Sequence, residues 1–322
     1  MKRLLSVGML ALIFSSCNDG DIVYKELNFE NQAVQKCYDK DLYYKINAKD
    51  MMILKVDPNL LIDSNLKLGE EKTFEIGTSL ELIYRTYDEM ADSKSICESL
   101  PPAKPVVVSE MMANPGGTAL IVRDLRIQKN ELITEPTVLN YFYTINFRDI
   151  SFKDGDTNIN QTKLYFGEYK YKTNNLTFNF DGIIKFCDET KATRLVVNSA
   201  TEAMVLNIAA DVLKNEEKTV SFSLSETENL NYKAYTISGG AIDQVKACSD
   251  ETVFGETIQI ENWNATTGTL KVVTTKVIQP ENNPEQKVEY LHKLSLENVV
   301  FNKEGKSFVR DVVPFGEITT QL

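Results

Sequence analysis

Apolar and polar residues alternate one by one in several stretches of the chain. Residues 219–225 read Thr-Val-Ser-Phe-Ser-Leu-Ser, and every second residue of 141–147 is aromatic or aliphatic. A period of two residues is typical of half-buried β-strands. The same kind of pattern predicts further strands at 51–56, 119–127, 164–171, 204–208 and 269–277.

Turn residues separate these stretches, and long amphipathic helices are missing. Turns are expected at Asp154-Gly155, at Pro115-Gly116-Gly117 and at Glu304-Gly305. Only residues 209–214 are expected to form a single helical turn. Many short strands separated by turns indicate an all-β chain built from β-sandwiches.

The chain repeats itself with an offset of about 150 residues. Cys37 and Cys97 are 60 residues apart, and Cys187 and Cys248 are 61 apart. Other matches keep the same order: Asn28-Phe29 with Asn179-Phe180, residues 70–73 with 216–219, residues 84–87 with 232–235, Phe152 with Phe301, and residues 166–168 with 315–317. An ordered series of matches indicates a duplicated unit. We therefore predict two tandem Ig-like β-sandwich domains, at residues 24–172 and 173–322.

The repeat also predicts how four of the five cysteines pair. Each copy has one early and one late cysteine, so we expect the disulfides Cys37–Cys97 and Cys187–Cys248. Closing a loop of this length stabilises a domain by about 4 kcal/mol in the chain-entropy model. A metal site would need cysteines or histidines at short spacing, and the chain has a single histidine. We expect no metal or other cofactor.

Residues 1–16 have the features of a signal peptide. Lys2 and Arg3 precede an apolar run at 4–14, which is shorter than the roughly 20 residues that span a bilayer. The sequence Phe14-Ser15-Ser16-Cys17 resembles the lipobox of bacterial lipoproteins, which implies that Cys17 carries lipid and that 17–23 form a tether. The alternative is an ordinary signal peptide in which the cysteine falls at this place by chance.

The residues after Cys17 are polar and acidic. Asn18, Asp19 and Asp21 resemble the surface-export signal of lipoproteins from the Bacteroidota, and the alternative is a flexible polar tether without a signal. The acidic tether, the two repeats with one disulfide each and the segment 97–102 are features by which the chain resembles flavobacterial lipoproteins of that phylum. The resemblance implies a lipid anchor on the outer membrane, facing the cell surface, with a periplasm-facing anchor as the alternative.

Charge and motifs exclude several functions. The formal net charge is −11, and removal of Lys2 and Arg3 with the signal peptide makes it −13. An acidic chain without a basic stripe argues against nucleic acid as a partner. His292 lies on a strand with leucines and has no nucleophile nearby, so we interpret it as a packed ring. We do not expect an enzyme.

Two groups of residues are candidates for ligand contact. Asp154, Asp156 and Asn158 alternate oxygen donors as in a calcium loop, but later ligands are missing and a hairpin turn is the alternative. Tyr165, Tyr169 and Tyr171 share one strand face and form a candidate binding face. The alternative, which we favour, is that this strand packs at the junction of the two domains.

The sequence thus predicts a non-enzymatic binding module that is attached to the membrane through lipid on Cys17. Its partner is expected to be an envelope protein or a glycan. The first alternative is a structural or assembly component of a cell-envelope machine. The second is a hydrolase that uses paired carboxylates, since acidic residues are plentiful.

Overall fold

The computed structural model describes residues 27–61, 66–128, 136–154, 157–190, 192–238, 240–277 and 287–321. These residues form eighteen β-strands and two short α-helices. Strands account for 61% of the described residues and helices for 3%, so the predicted all-β class is confirmed. Residues 209–214, expected as a helical turn, form turns and bends instead.

The elements follow the same order in the two copies. In the first copy they are β1 Gln35–Lys36, β2 Leu42–Asn47, β3 Asp50–Val56, β4 Glu71–Glu75, β5 Leu80–Tyr87, α1 Lys94–Cys97, β6 Val107–Met112, β7 Thr118–Gln128, β8 Thr137–Asp154 and β9 Thr157–Leu176. In the second they are β10 Lys185–Phe186, β11 Arg194–Asn198, β12 Glu202–Asn207, β13 Lys218–Ser223, β14 Leu230–Thr236, α2 Gln244–Cys248, β15 Val253–Phe254, β16 Thr257–Val277, β17 Glu289–Lys303 and β18 Lys306–Gln321.

The strand pairing repeats as well. The first copy has one sheet in the order β1-β2-β3-β5-β6 and another in the order β4-β7-β8-β9. The second copy has β10-β11-β12-β14-β16, continued by β17 and β18, with β13 also paired to β16. The long strand β16 therefore corresponds to β6 and β7 together, since its first half pairs with β14 and its second half with β13.

A glycine marks the equivalent point in both copies. Gly268, with φ +141°, lies inside β16, and Gly117 immediately precedes β7. A Cβ at Gly268 would come within 3.1 Å of the Cα of Val299, and a Cβ at Gly117 within 2.7 Å of Ile150. Gly268 requires glycine because of its positive φ and the close backbone of β17, whereas at Gly117 the nearest atom is the tip of a side chain.

The turn between β17 and β18 lies at Glu304-Gly305, where the sequence predicts it. Lys303 and Lys306 pair across a two-residue loop, Glu304-Gly305. Both loop residues have positive φ, 46° and 77°, as a type I′ turn requires. This turn has the backbone twist that joins two antiparallel strands, so the hairpin forms where the sequence predicts it.

One buried tyrosine stands at the centre of each core. Tyr84 of β5 and Tyr232 of β14 each pack against one ring from the segment before the first strand and one ring from a later strand, β8 or β17. The ring pairs are Phe29–Tyr84 (6.2 Å) and Tyr84–Phe152 (6.5 Å) in the first copy, and Phe180–Tyr232 (6.4 Å) and Tyr232–Phe301 (6.3 Å) in the second. In the first copy these rings join the two sheets, as in the layers of a β-sandwich, and in the second copy they join strands of one nine-stranded sheet.

The second face of β2, β3 and β5, and of the matching strands β11, β12 and β14, is also covered. Both predicted disulfides are present, and each joins the short helix to the chain just after the first strand. A small apolar cluster lies under each disulfide, around Tyr87 in the first copy and around Tyr235 in the second. Burial on both faces explains why β3 and β12 read as continuous apolar runs rather than as alternating ones.

The described residues group into two compact units. Unit 1 contains those of 27–66, 71–122 and 144–169, and unit 2 contains those of 67–70, 123–143 and 170–321. Parts of β7, β8 and β9 thus belong to unit 2. The domain boundary expected near residue 172 separates two sequence copies, and together with the two Ig-like domains it stays a prediction.

Candidate functional site

Strands β8 and β9 expose a set of polar side chains next to core residues. Ile145 and Phe147 of β8 are buried, so Asn146 and Arg148 lie on the opposite face of the sheet. In β9 the ring of Phe166 is buried, whereas that of Tyr165 is 48% exposed. The alternation that builds the core of unit 1 therefore also presents these side chains to solvent.

These side chains line an open groove of about 320 Å³ in unit 1, which we call the Tyr165 groove. It combines the exposed ring of Tyr165 with the almost fully buried Leu120 and with both kinds of charge. Its lining residues are Glu71, Leu120, Asn146, Phe147, Arg148, Lys163, Leu164 and Tyr165. A concave surface with some apolar area and a few converging polar groups is what ligand sites typically offer.

Four polar side chains of this groove are available to contact a ligand. Glu71, Asn146, Arg148 and Lys163 make no side-chain hydrogen bond or ion pair with any residue in the part of the chain that the structure describes. Carboxylate, amide, guanidinium and ammonium groups are thus all available beside one exposed ring. Together they can donate to and accept from a polar ligand that stacks on Tyr165.

A buried lysine lies next to Tyr165. Lys45 of β2 is 1% exposed, and its Nζ is 5.9 Å from the centre of the Tyr165 ring. Burial lowers the pKa of Lys45 from its usual value. The equivalent strand position in the second copy is Val197, a core residue, so the ammonium group is a feature of unit 1.

The other two tyrosines of the candidate binding face are engaged within the protein. The ring of Tyr169 packs edge-on against that of Tyr43 with 5.1 Å between centres. The ring of Tyr171 stacks on Tyr143 at 4.1 Å, and its hydroxyl accepts a hydrogen bond from Nε of Arg123. Tyr165 is 48% exposed, and Nζ of Lys45 lies 5.9 Å from the centre of its ring.

Unit 2 contains a buried carboxylate that the sequence did not single out. Glu261, 1% exposed, accepts hydrogen bonds from Tyr141 Oη (2.7 Å), Trp263 Nε1 (3.0 Å), Lys303 Nζ (2.7 Å) and Asn174 Nδ2. Burial and the charge of Glu261 raise the pKa of Tyr141. With four donors on one carboxylate, this cluster is fully satisfied, and we interpret it as structural.

His292 is fully buried, as expected for a packed ring. Its Nδ1 is 2.8 Å from Thr274 Oγ1, and its Nε2 is 2.8 Å from Thr320 Oγ1. The hydroxyl of Thr320 donates to Asn215 Oδ1, so Thr320 accepts from Nε2–H and Thr274 donates to Nδ1. Burial lowers the pKa of His292 and so favours the neutral ring.

Several residues predicted from the sequence lie outside the described residues. These are Cys17 with Asn18, Asp19 and Asp21, as well as Asp156 and the side chain of Asp154. Asn158 is described and is exposed on β9. Within the described ranges, no group of three or more His, Cys, Asp or Glu side chains is arranged to hold a metal ion.

Sequence reasoning missed the polar members of the Tyr165 groove, although a signal was present. Once Ile145 and Phe147 are assigned to the core, the period of a strand places Asn146 and Arg148 on the other face. Which strands lie side by side was not readable from this pattern. The sequence pattern therefore did not predict that Glu71 of β4 lines the same groove.

Neither helix formed by the described residues has the length and apolar character needed to cross a bilayer.

Comparisons with known proteins do not extend this picture. No protein-family model, no curated protein and no solved structure matches the chain.

Proposed function

We propose that this protein is a lipid-anchored, non-enzymatic binding module whose Tyr165 groove holds a glycan. The signal peptide and Cys17 support the anchor, and Asn18, Asp19 and Asp21 support a position on the cell surface. In this arrangement the lipid attaches the chain to the outer membrane and the groove captures the partner.

One observation carries the proposal. The exposed ring of Tyr165 lies in a groove whose carboxylate, amide, guanidinium and ammonium groups have no partner among the described residues. Sugar rings have apolar faces and hydroxyl edges, so they can stack on an aromatic ring and exchange hydrogen bonds around it. Polar groups that make no hydrogen bond within the fold are available to bind a polar ligand.

The groove also supports a binding role rather than a hydrolytic one. Glycoside hydrolysis by the usual route needs two carboxyl groups that flank the scissile bond. Among the lining residues Glu71 is the one carboxylate.

A glycan array with the full chain purified in detergent tests the proposal. We expect retention of a defined set of glycans by the wild-type protein and loss of that signal in Tyr165→Ala. Tyr38→Ala is the matched control, because Tyr38 is a fully exposed tyrosine of unit 1 outside the groove. Failure of every glycan to bind would refute the proposal.

A second function is favoured by a different observation. Edge strand β6 and the residue before it carry three exposed valines, Val106, Val107 and Val108, at 50%, 42% and 66% exposure. An exposed apolar edge strand is a place where another chain can add a strand. This favours a component of a cell-envelope assembly, and loss of a cross-linked partner in Val107→Lys cells would support it.

A further inference from the structure

The Tyr165 groove has a charge balance opposite to that of the whole chain. The protein carries a formal net charge of −11, whereas the groove contains two cations, Arg148 and Lys163, and one carboxylate, Glu71. Lys45 does not line the groove and interacts with the charge of Glu30, so it adds no cation to this balance. The groove is therefore a local basic site on an acidic protein.

Three other cations of unit 1 are paired with carboxylates. Lys36 pairs with Asp41, Lys55 with Glu81, and Arg85 with Glu110. Arg148 and Lys163 have no such carboxylate among the described residues. Two cations line the groove against the single carboxylate of Glu71, so an anionic ligand would balance the excess positive charge.

We infer that the groove takes an acidic sugar, meaning a glycan with carboxylate or sulfate groups; this rests on the function proposed above. The sugar ring stacks on Tyr165. The guanidinium of Arg148 suits a carboxylate or sulfate because its donors match two oxygens at once, and Lys163 adds a second charge. Asn146 and Glu71 remain to bond hydroxyl groups.

The chemistry separates the roles of the groove residues. Stacking on Tyr165 is open to neutral and acidic sugars alike. The two cations act only on the acidic ones. A glycan and its uncharged ester should therefore differ in their dependence on Arg148 and Lys163 but share their dependence on Tyr165.

Oligogalacturonate and its methyl ester, which have the same rings with and without charge, test this inference, with a sulfated oligosaccharide as a second acidic probe. Dissociation constants are measured by titration calorimetry on the full chain in detergent. We expect at least one acidic probe to bind about tenfold or more tightly than the ester. The double variant Arg148→Gln/Lys163→Gln should remove that difference, whereas Lys94→Gln, an exposed lysine elsewhere in unit 1, should keep it.

The outcomes distinguish this inference from the function on which it rests. Equal binding of acid and ester that depends on Tyr165 would overturn the acidic-sugar inference and leave the glycan-binding proposal standing. Binding of the acidic probes that is insensitive to both Tyr165→Ala and the double variant would place the site elsewhere and overturn both. Absence of binding by both acidic probes would also overturn the inference, and the glycan array then decides the broader proposal.

Discussion

Lys303 Nζ lies 2.7 Å from Oε2 of Glu261, a carboxylate whose side chain has no exposed surface. Charged groups are costly to bury, and their cost is offset here by the ion pair and by further donors on the same carboxylate. The cluster joins strands from both sequence copies inside unit 2, since Tyr141 belongs to β8 and Lys303 to β17. It is therefore expected to be a major contributor to the stability of that unit.

Glu261→Gln should lower the free energy of unfolding by about 3 kcal/mol, because it leaves the mostly buried ammonium of Lys303 without its counter-charge. The matched control is Glu317→Gln, which breaks an ion pair with Lys293 whose side chains are 49% and 58% exposed. That change should cost about 1 kcal/mol or less. Urea unfolding measures both values, and equal costs would contradict the structural role of Glu261.

Separate expression of the two sequence copies tests how the compact units are built. Unit 2 contains residues 67–70 and 123–143 of the first copy, so a fragment of residues 173–322 lacks part of its own core. We expect this fragment alone to give a poorly dispersed amide spectrum. Addition of a fragment of residues 24–172 should restore dispersion. A native-like spectrum of 173–322 alone would show that the copy folds without those strands.

The buried His292 predicts how stability depends on pH. Its pKa is lowered by burial, so below pH about 6.5 the unfolded chain binds a proton that the folded chain does not. Its contribution is therefore complete above that pH and is lost as pH falls. Between pH 7.5 and 5.5 the wild type should therefore lose more unfolding free energy than His292→Gln. Parallel losses in the two proteins would show that His292 titrates normally.

The repeated sequence pattern predicted much of the fold. Cys37–Cys97 and Cys187–Cys248 follow from the repeat because duplicated copies close the same bridge. The turn at Glu304-Gly305 follows from local chemistry, since Gly305 readily adopts the positive φ that the hairpin needs. These features depend on short stretches of chain or on a comparison of the chain with itself.

Other features depend on long-range pairing that a strand pattern does not contain. Alternation shows which side chains share a face, but not which strand lies alongside, so Glu71 and Arg148 could not be assigned to one groove. Nothing in the sequence distinguishes Glu261 from the other acidic residues, although it is buried in the core. Helix α2 is a single short turn beside Cys248 and has no amphipathic period to detect.

Cys17→Ala tests the lipid anchor. The thiol of Cys17 is the atom that the lipobox resemblance marks for acylation, so the variant should lose incorporation of a palmitate analogue and leave the membrane fraction. Cys17 takes no part in either disulfide. The thermal unfolding curve of the Cys17→Ala variant should therefore stay within the error of the wild-type curve. Retention of the variant in membranes would mean that another anchor or partner holds the chain.

The dissociation constant of the strongest array glycan for Tyr165→Ala, compared with Tyr38→Ala, tests the central claim most directly. Loss of stacking on an exposed aromatic ring should weaken binding by about tenfold. We therefore expect that loss in Tyr165→Ala and an unchanged constant in Tyr38→Ala, when each is measured by titration calorimetry on the full chain. Equal constants for wild type and both variants would contradict the assignment of the Tyr165 groove as the binding site.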